Sequence, residues 1–199
     1  MINNQVKVLL GVAALTVAAL SLLVYEKPDA VATKPREARR HERIVWAEPE
    51  TKPPGTRIRD AQGERHRLKD FAGPTLVVNL WATWCAPCVK EMPSLDRLQA
   101  AHDEEELRVI AISVDHNGPD VVPDFFDENG IEALEPFYEP SMKIFRDAKA
   151  EGLPLTLLIG PDGYEKVRIN GEFDWDSSEA KALLGMVRGP ATASTQSGN

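Results

Sequence analysis

The segment from Leu76 to Pro93 constrains the fold of this 199-residue chain more than any other. It begins with the run Leu-Val-Val-Asn-Leu-Trp, which is typical of a strand buried on both faces of a sheet. The only two cysteines of the chain, Cys85 and Cys88, follow this run, and apolar residues then recur at helical spacing. The sequence therefore predicts a buried strand that leads into a helix whose first turn carries Cys-x-x-Cys.

This placement of the two cysteines favours thiol chemistry. The unpaired N–H groups and partial positive charge of a helix N-terminus stabilise a thiolate, so we expect Cys85 to be the attacking nucleophile. Cys88, one turn further on, is expected to be more buried and to resolve a mixed disulfide. A zinc site would need two further ligands, and none of the four histidines is paired with another ligand at a suitable spacing, so we predict no metal.

The motif Trp84-Cys85-Ala86-Pro87-Cys88 resembles the active-site signature of the thioredoxin superfamily. The wider run from Asn79 to Cys88, followed by Lys-Glu-Met-Pro, resembles the membrane-anchored bacterial branch that contains TlpA, ResA and the cytochrome c maturation reductases, and TlpA most of all. The resemblance covers roughly residues 49–188. It implies an α/β, thioredoxin-like fold with a mixed central β-sheet flanked by helices, an N-terminal hairpin and a central insertion.

Local patterns predict the same order of elements without the motif. A hairpin is expected within residues 56–70, a second buried strand at Leu107–Val114, and a helix from Asp120 that Gly130 ends. Further signals predict a short helix capped by Ser141, a hairpin around Pro161-Asp162-Gly163, and a last helix capped by Ser177 or Ser178. Strand–helix units followed by a hairpin and a helix build a mixed sheet with covered faces.

The resemblance also implies the residues that contact a substrate. Trp84 and Pro87 flank the thiols and are expected to belong to the docking surface. Pro154 matches the cis-proline of the family, and Leu153 before it would offer its backbone to an extended substrate segment.

Glu91, three residues after Cys88, corresponds to a glutamate that tunes the thiols in the resembling branch. The alternative is an ordinary carboxylate on the helix surface. Thioredoxin itself has a buried aspartate where this chain has Asn79, and an asparagine cannot titrate. If a carboxylate assists Cys88, Glu91 is therefore the nearest candidate.

The flanking segments predict four regions along the chain. Val8 to Tyr25 contains 18 uncharged residues, enough to span a bilayer, so residues 1–25 are expected to be a signal anchor rather than a cleaved signal peptide. Residues 26–55 are rich in proline and charge and are expected to form a flexible linker. Residues 56–188 would be the thioredoxin-like domain, and residues 189–199 a disordered tail.

The net charge of −8 consists of +3 in residues 1–43 and −11 in the remainder, which argues against nucleic-acid binding. Six basic residues follow the expected span and one precedes it, which by the positive-inside rule would place the domain in the cytoplasm. That rule weakens when a long domain follows the span. The resemblance instead implies a single-pass protein of the inner (cytoplasmic) membrane whose domain faces the periplasm, and we adopt that expectation.

The resulting functional hypothesis is a membrane-tethered protein-disulfide reductase that needs no cofactor beyond its own thiol pair. The resemblance implies apocytochrome c, a copper chaperone or an oxidase subunit as disulfide-containing partners, and an electron donor of the DsbD/CcdA type. The alternatives are a Cu(I)-binding metallochaperone that uses the same cysteines and a DsbA-like disulfide donor. A peroxiredoxin is disfavoured because its signature would place a proline at Val78.

Overall fold

The computed structural model of the protein describes residues 43–188, which contain eight strands, four α-helices and a 3-10 helix. The strands are β1 (Ile44–Trp46), β2 (Ile58–Arg59), β3 (Arg65–His66), β4 (Thr75–Trp81), β5 (Leu107–Ser113), β6 (Pro136–Tyr138), β7 (Leu155–Ile159) and β8 (Glu165–Asn170). The helices are α1 (Ala86–Ala100), α2 (Gly118–Asn129), α3 (Lys143–Asp147) and α4 (Ser178–Arg188), and the 3-10 helix is Leu68–Phe71.

All eight strands form one mixed sheet in the order β1-β8-β7-β4-β5-β6-β2-β3. The pairs β4–β5 and β5–β6 are parallel, and the other neighbouring strands are antiparallel. Every residue of β4 is buried, as expected for a central strand with both faces covered. The mixed sheet flanked by helices, with its N-terminal β2–β3 hairpin, confirms the predicted fold class.

Elements that carry their own stop or start signals lie where the sequence predicts them. Helix α2 ends at Gly130, which adopts the left-handed conformation with φ 62°. The side chain of Ser177 caps α4, because its hydroxyl accepts the backbone N–H of Ala180 at 3.1 Å. The hairpin β7–β8 turns at the predicted Pro161-Asp162-Gly163 segment.

Two of the structural predictions are wrong in part. The expected flexible linker 26–55 includes β1, so part of that segment belongs to the sheet and the folded domain does not begin at residue 56. This strand has only three residues and pairs with β8, more than 100 residues away, so local composition does not reveal it. Ser141 does not cap α3; the carboxylate of Glu139 does, by accepting the N–H of Ile144 at 2.8 Å.

The central insertion contains a strand that no local pattern predicts. Residues 136–138 form β6, which pairs in parallel with β5 and also holds β2 at the other side. The predicted membrane span and the predicted tail at 189–199 lie outside the described residues. Between residues 43 and 188, no helix has both the length and the apolar character that crossing a membrane requires.

Candidate active site

Cys85 and Cys88 form a disulfide at the start of α1. Cys85 is the N-cap residue, and its carbonyl oxygen accepts the N–H of Val89 at 3.0 Å. Cys85 is 6% exposed, whereas Cys88 is fully buried. Cys85 is therefore the more accessible of the two, as expected for an attacking cysteine, and the buried Cys88 fits the role of the resolving cysteine.

The loop that delivers Cys85 is held by Asp115, at the end of β5. This carboxylate accepts the backbone N–H of Thr83 at 3.0 Å and the Thr83 hydroxyl at 2.8 Å. The hydroxyl of Ser113 donates to the same carboxylate at 2.8 Å. Asp115 therefore caps the loop that precedes Cys85.

Glu91 is a buried residue, 2% exposed, rather than the surface carboxylate that a helix position usually offers. Its Oε1 accepts Asn79 Nδ2 at 2.7 Å, and its Oε2 accepts the backbone N–H of Phe173 at 2.9 Å. Loss of water around the carboxylate raises the pKa of Glu91 to about 8, although these two hydrogen bonds act in the opposite direction. At neutral pH the group is therefore mostly a protonated carboxyl.

Asn79 connects the helix that carries the thiols to the neighbouring strand. Its Nδ2 group donates to Glu91 and also to Thr156 Oγ1, at 2.9 Å, which lies opposite Asn79 in the β4–β7 register. Among the described residues, Asn79 Oδ1 has no hydrogen-bond partner. The sequence identified Asn79 and Glu91 separately. It missed Thr156 and Phe173, whose only signals are proximity to Pro154 and to the last helix.

The residues expected to contact a substrate lie at one end of the sheet. Leu155 pairs with Leu80, so Pro154 lies beside the end of β4, from which the chain enters the cysteine loop. The Leu153–Pro154 peptide bond is cis, as the resemblance predicts. Trp84 is 67% exposed, and Pro87 is also exposed.

Leu153 leaves its backbone available for pairing. Its side chain packs partly against the core, but neither its N–H nor its carbonyl takes part in a backbone hydrogen bond within residues 43–188. An extended chain segment could therefore pair there without displacing an internal partner.

One cluster in the described region has metal-ligand chemistry, and it lies on the β2–β3 hairpin at the far edge of the sheet. Ligand atoms of Asp60, Glu64 and His66 lie within 4.8 Å of one another. Two of its members already contact each other: His66 Nε2 lies 2.6 Å from Asp60 Oδ2, and this hydrogen bond lowers the pKa of the partly buried Asp60. It has no connection to the cysteines.

The family model for redoxins matches residues 48–184. This chain belongs to the redoxin family. Among relatives of this redoxin, the thiol-disulfide oxidoreductase ResA of Bacillus thuringiensis (strain Al Hakam) is 32% identical over 115 residues, which are 58% of this chain and 65% of the relative. ResA of Geobacillus kaustophilus is 28% identical over 114 residues, 57% of this chain and 64% of the relative. The matched region thus spans less than two thirds of either relative.

Solved structures share the fold of this redoxin. A DsbE-type thiol:disulfide interchange protein of Chlorobium tepidum superposes with a TM-score of 0.60 at 23% identity, covering 69% of this chain and 99% of that one. A DsbF homologue of Corynebacterium diphtheriae gives a TM-score of 0.58 at 18% identity, covering 71% and 90%. At these identities the similarity concerns the fold, and it agrees with the thioredoxin-like architecture predicted from the sequence.

The geometry of the redoxin site permits reversible two-electron chemistry. The Cys85 and Cys88 Cα atoms are 5.2 Å apart, so the sulfurs can be bonded without rearrangement of the helix. Glu91 and Cys88, three residues apart, share one helical face. A buried carboxyl with a pKa of about 8 can give or take a proton near neutral pH.

Proposed function

We propose that the protein is a thiol–disulfide oxidoreductase that reduces disulfides in partner proteins outside the cytoplasm while tethered to the membrane by residues 8–25. The observation that carries the proposal is the Cys85–Cys88 disulfide at the first turn of α1, in which Cys85 is slightly exposed and Cys88 is fully buried. The ResA relatives, whose name is thiol-disulfide oxidoreductase, support the same activity.

The reaction begins from the dithiol form. The Cys85 thiolate attacks one sulfur of a substrate disulfide, which forms a mixed disulfide and releases one substrate thiolate that takes up a proton. Deprotonated Cys88 then attacks the sulfur of Cys85, so the Cys85–Cys88 bond forms and the second substrate thiolate leaves and is protonated. The substrate gains two electrons and two protons, and the enzyme loses both.

Glu91 is assigned the role of accepting the proton that Cys88 loses in the second step. Cys88 is buried and must lose a proton before it can attack, and Glu91 is the titratable residue on the same helical face. Asn79 and the N–H of Phe173 donate hydrogen bonds to the ionised form of Glu91. This form is the minority at neutral pH, and it is the form that can accept the proton of Cys88. Because the groups are adjacent, their titrations are expected to be coupled.

Substrate docking is assigned to Trp84, Pro87, Leu153 and Pro154. The exposed indole of Trp84 offers apolar contact area beside the thiols, while the backbone of Leu153 can pair with an extended substrate segment. Apocytochrome c, a copper chaperone or an oxidase subunit are the proposed partners. A membrane donor of the DsbD/CcdA type would supply the two electrons that return the disulfide to the dithiol.

The direction of the reaction is tested by the reduction potential of the Cys85–Cys88 pair in defined thiol buffers, followed by tryptophan fluorescence. A potential near −270 mV, roughly that of thioredoxin, is expected for a reductase. A potential near about −120 mV would instead make the protein a disulfide donor. If no two-electron transition occurs and Cu(I) binds stoichiometrically, the metallochaperone alternative replaces the proposal.

The role of Glu91 is tested by the Glu91→Gln variant in the reduced state. The wild-type thiols are expected to titrate in more than one step because Cys88 and Glu91 are coupled, whereas the variant should show a simpler curve and slower substrate reduction. The exposed Glu132→Gln change is the control. Identical titration curves for wild type and Glu91→Gln would remove Glu91 from the mechanism.

A further inference from the structure

A cavity lies far from the thiols, between the C-terminal half of α1 and helix α4. Its volume is about 450 Å³, within the range of small-molecule sites. Arg97, on its wall, follows Cys85 by about 18 Å along the helix axis, at about 1.5 Å per residue. The proposed redox reaction makes no use of this cavity.

The floor of the cavity is apolar. Leu98 and Ala101 of α1 and Leu184 of α4 contribute to it, together with Trp175 from the segment between β8 and α4. Trp175 is 2% exposed, and its indole Nε1 has no hydrogen-bond partner among residues 43–188. A buried donor without an acceptor is costly, so the indole is held there by its apolar contacts alone.

The rim of the cavity is basic, although the body of the protein is acidic. Arg97, Lys181 and Arg188 line it, opposed by one carboxylate, Asp176. Asp176 is already bound by Arg97, whose Nη2 and Nε lie 2.7 and 3.2 Å from Oδ2. The side chains that line the cavity therefore leave two positive charges in excess.

Arg188 and Lys181 carry this excess charge. Nε and Nη2 of Arg188, which form one edge of the guanidinium, are buried and have no hydrogen-bond partner in the described part of the chain. Arg188 forms a long ion pair with the exposed Glu106, whose carboxylate lies 3.9 Å from Nη2 and is too far away for a hydrogen bond. Lys181 is exposed, and no described residue forms an ion pair with its ammonium group.

We propose that this cavity is a binding site for a small amphipathic carboxylate. Its carboxylate would pair with the ammonium group of Lys181 and the guanidinium of Arg188, which both line the cavity, and its apolar part would lie against Leu98 and Leu184. The same cavity lining already contains one guanidinium–carboxylate pair, because Arg97 binds the carboxylate of Asp176. The site requires both an anion and an apolar body.

The test uses the full chain in nonionic detergent, labelled with 5-fluorotryptophan, and hexanoate as the probe. The four tryptophans give separate ¹⁹F signals, and a Trp175→Phe variant assigns the one on the cavity wall. Hexanoate is expected to shift the Trp175 signal in a saturable manner and to leave the Trp84 signal unchanged. Hexanamide, a neutral ligand of nearly the same shape, should bind at least about tenfold more weakly, as loss of a charge-assisted hydrogen bond implies.

Variants test whether the basic residues of the cavity, rather than the overall charge of the protein, bind hexanoate. Arg188→Gln and Lys181→Gln should each weaken hexanoate binding, the first by about tenfold or more. Arg65→Gln removes one exposed charge from β3 at the opposite edge of the sheet and should bind as wild type does. Because Lys181 is exposed, its variant keeps the test valid if Arg188→Gln does not fold. Equal binding of hexanamide and hexanoate, wild-type affinity in both rim variants, or no saturable shift would overturn the proposal.

Discussion

The carboxyl group of Glu91 is held by donors from two other elements, Asn79 on β4 and Phe173 after β8. Burial destabilises the ionised carboxylate more than these two hydrogen bonds stabilise it, so the pKa rises to about 8. Sequence could supply Glu91 as a candidate from its position beside Cys88, and Asn79 as a departure from an expected aspartate. It could not show that the two touch, because they are brought together by the packing of α1 on the sheet.

This pKa makes a prediction about stability and pH. Between about pH 4.5 and pH 8 the unfolded chain has released the proton of Glu91 while the folded protein still holds it. The contribution of this group to the free energy of unfolding is therefore fully present below pH 4.5 and is lost as the pH rises through 8, by about 1.4 kcal/mol per pH unit. Urea unfolding of the oxidised protein at several pH values measures this.

The Glu91→Gln variant should lack that slope, since an amide does not titrate. The difference in stability between wild type and Glu91→Gln is thus expected to change with pH, and the exposed Glu132→Gln variant should follow wild type throughout. A difference that stays constant from pH 5 to pH 8 would mean that the carboxyl is not shifted as described.

The contact between Asn79 and Glu91 makes a second prediction. Asn79→Asp would place a second carboxyl group about 2.7 Å from Glu91 and remove the amide donor, so the variant should lose about 2 kcal/mol of stability at pH 7 and more at higher pH. Adding Glu91→Gln returns one amide and one carboxyl to the pair and should recover at least half of the loss. Stability changes that simply add in the double variant would contradict the direct contact.

At the scale of elements, the sequence predicts those helices and strands whose ends are marked by their own residues. Gly130 and Ser177 mark helix ends through their own backbone or hydroxyl group, and both helices lie as expected. Strands β1 and β6 have three residues each and exist because β8 and β5 offer edges for pairing. Nothing in the sequence of such a short strand indicates which distant strand it pairs with, so the sequence alone does not predict it.

Gly130 gives a prediction at this scale. Its φ of 62° is disfavoured for residues with a Cβ, while no atom stands within 4 Å of where that Cβ would lie. Gly130→Ala should therefore lose about 1 kcal/mol through the backbone alone. Gly55 has equally open surroundings and no positive φ, so Gly55→Ala should change stability by less than about 0.5 kcal/mol. Equal effects in urea unfolding would show that the helix end does not depend on the left-handed conformation.

The net charge of the whole molecule is −8, and the part from residue 44 onward carries −11. Such a field attracts positively charged partners over a distance set by the ionic strength. We expect two disulfide peptides that differ only in Lys against Glu flanks to be reduced at different rates in 20 mM salt, with the basic peptide faster. The difference between the two reduction rates should become smaller in 200 mM salt. Equal rates for the basic and acidic peptides in 20 mM salt would contradict electrostatic attraction of the substrate.

The segment between β8 and α4 reaches both the thiol site and the distant cavity. The N–H of Phe173 holds Glu91, and the Phe173 ring lies 5.0 Å from the Trp175 ring, which forms part of the cavity floor. The N–H of Trp175 also faces Ser94 Oγ at 3.4 Å, on the same helix as the thiols. Because the two aromatic residues are in contact, a ligand that displaced Trp175 would also disturb Phe173, whose N–H donates to Glu91, so occupancy of the cavity would be felt at a carboxyl group on the helix that carries the thiols.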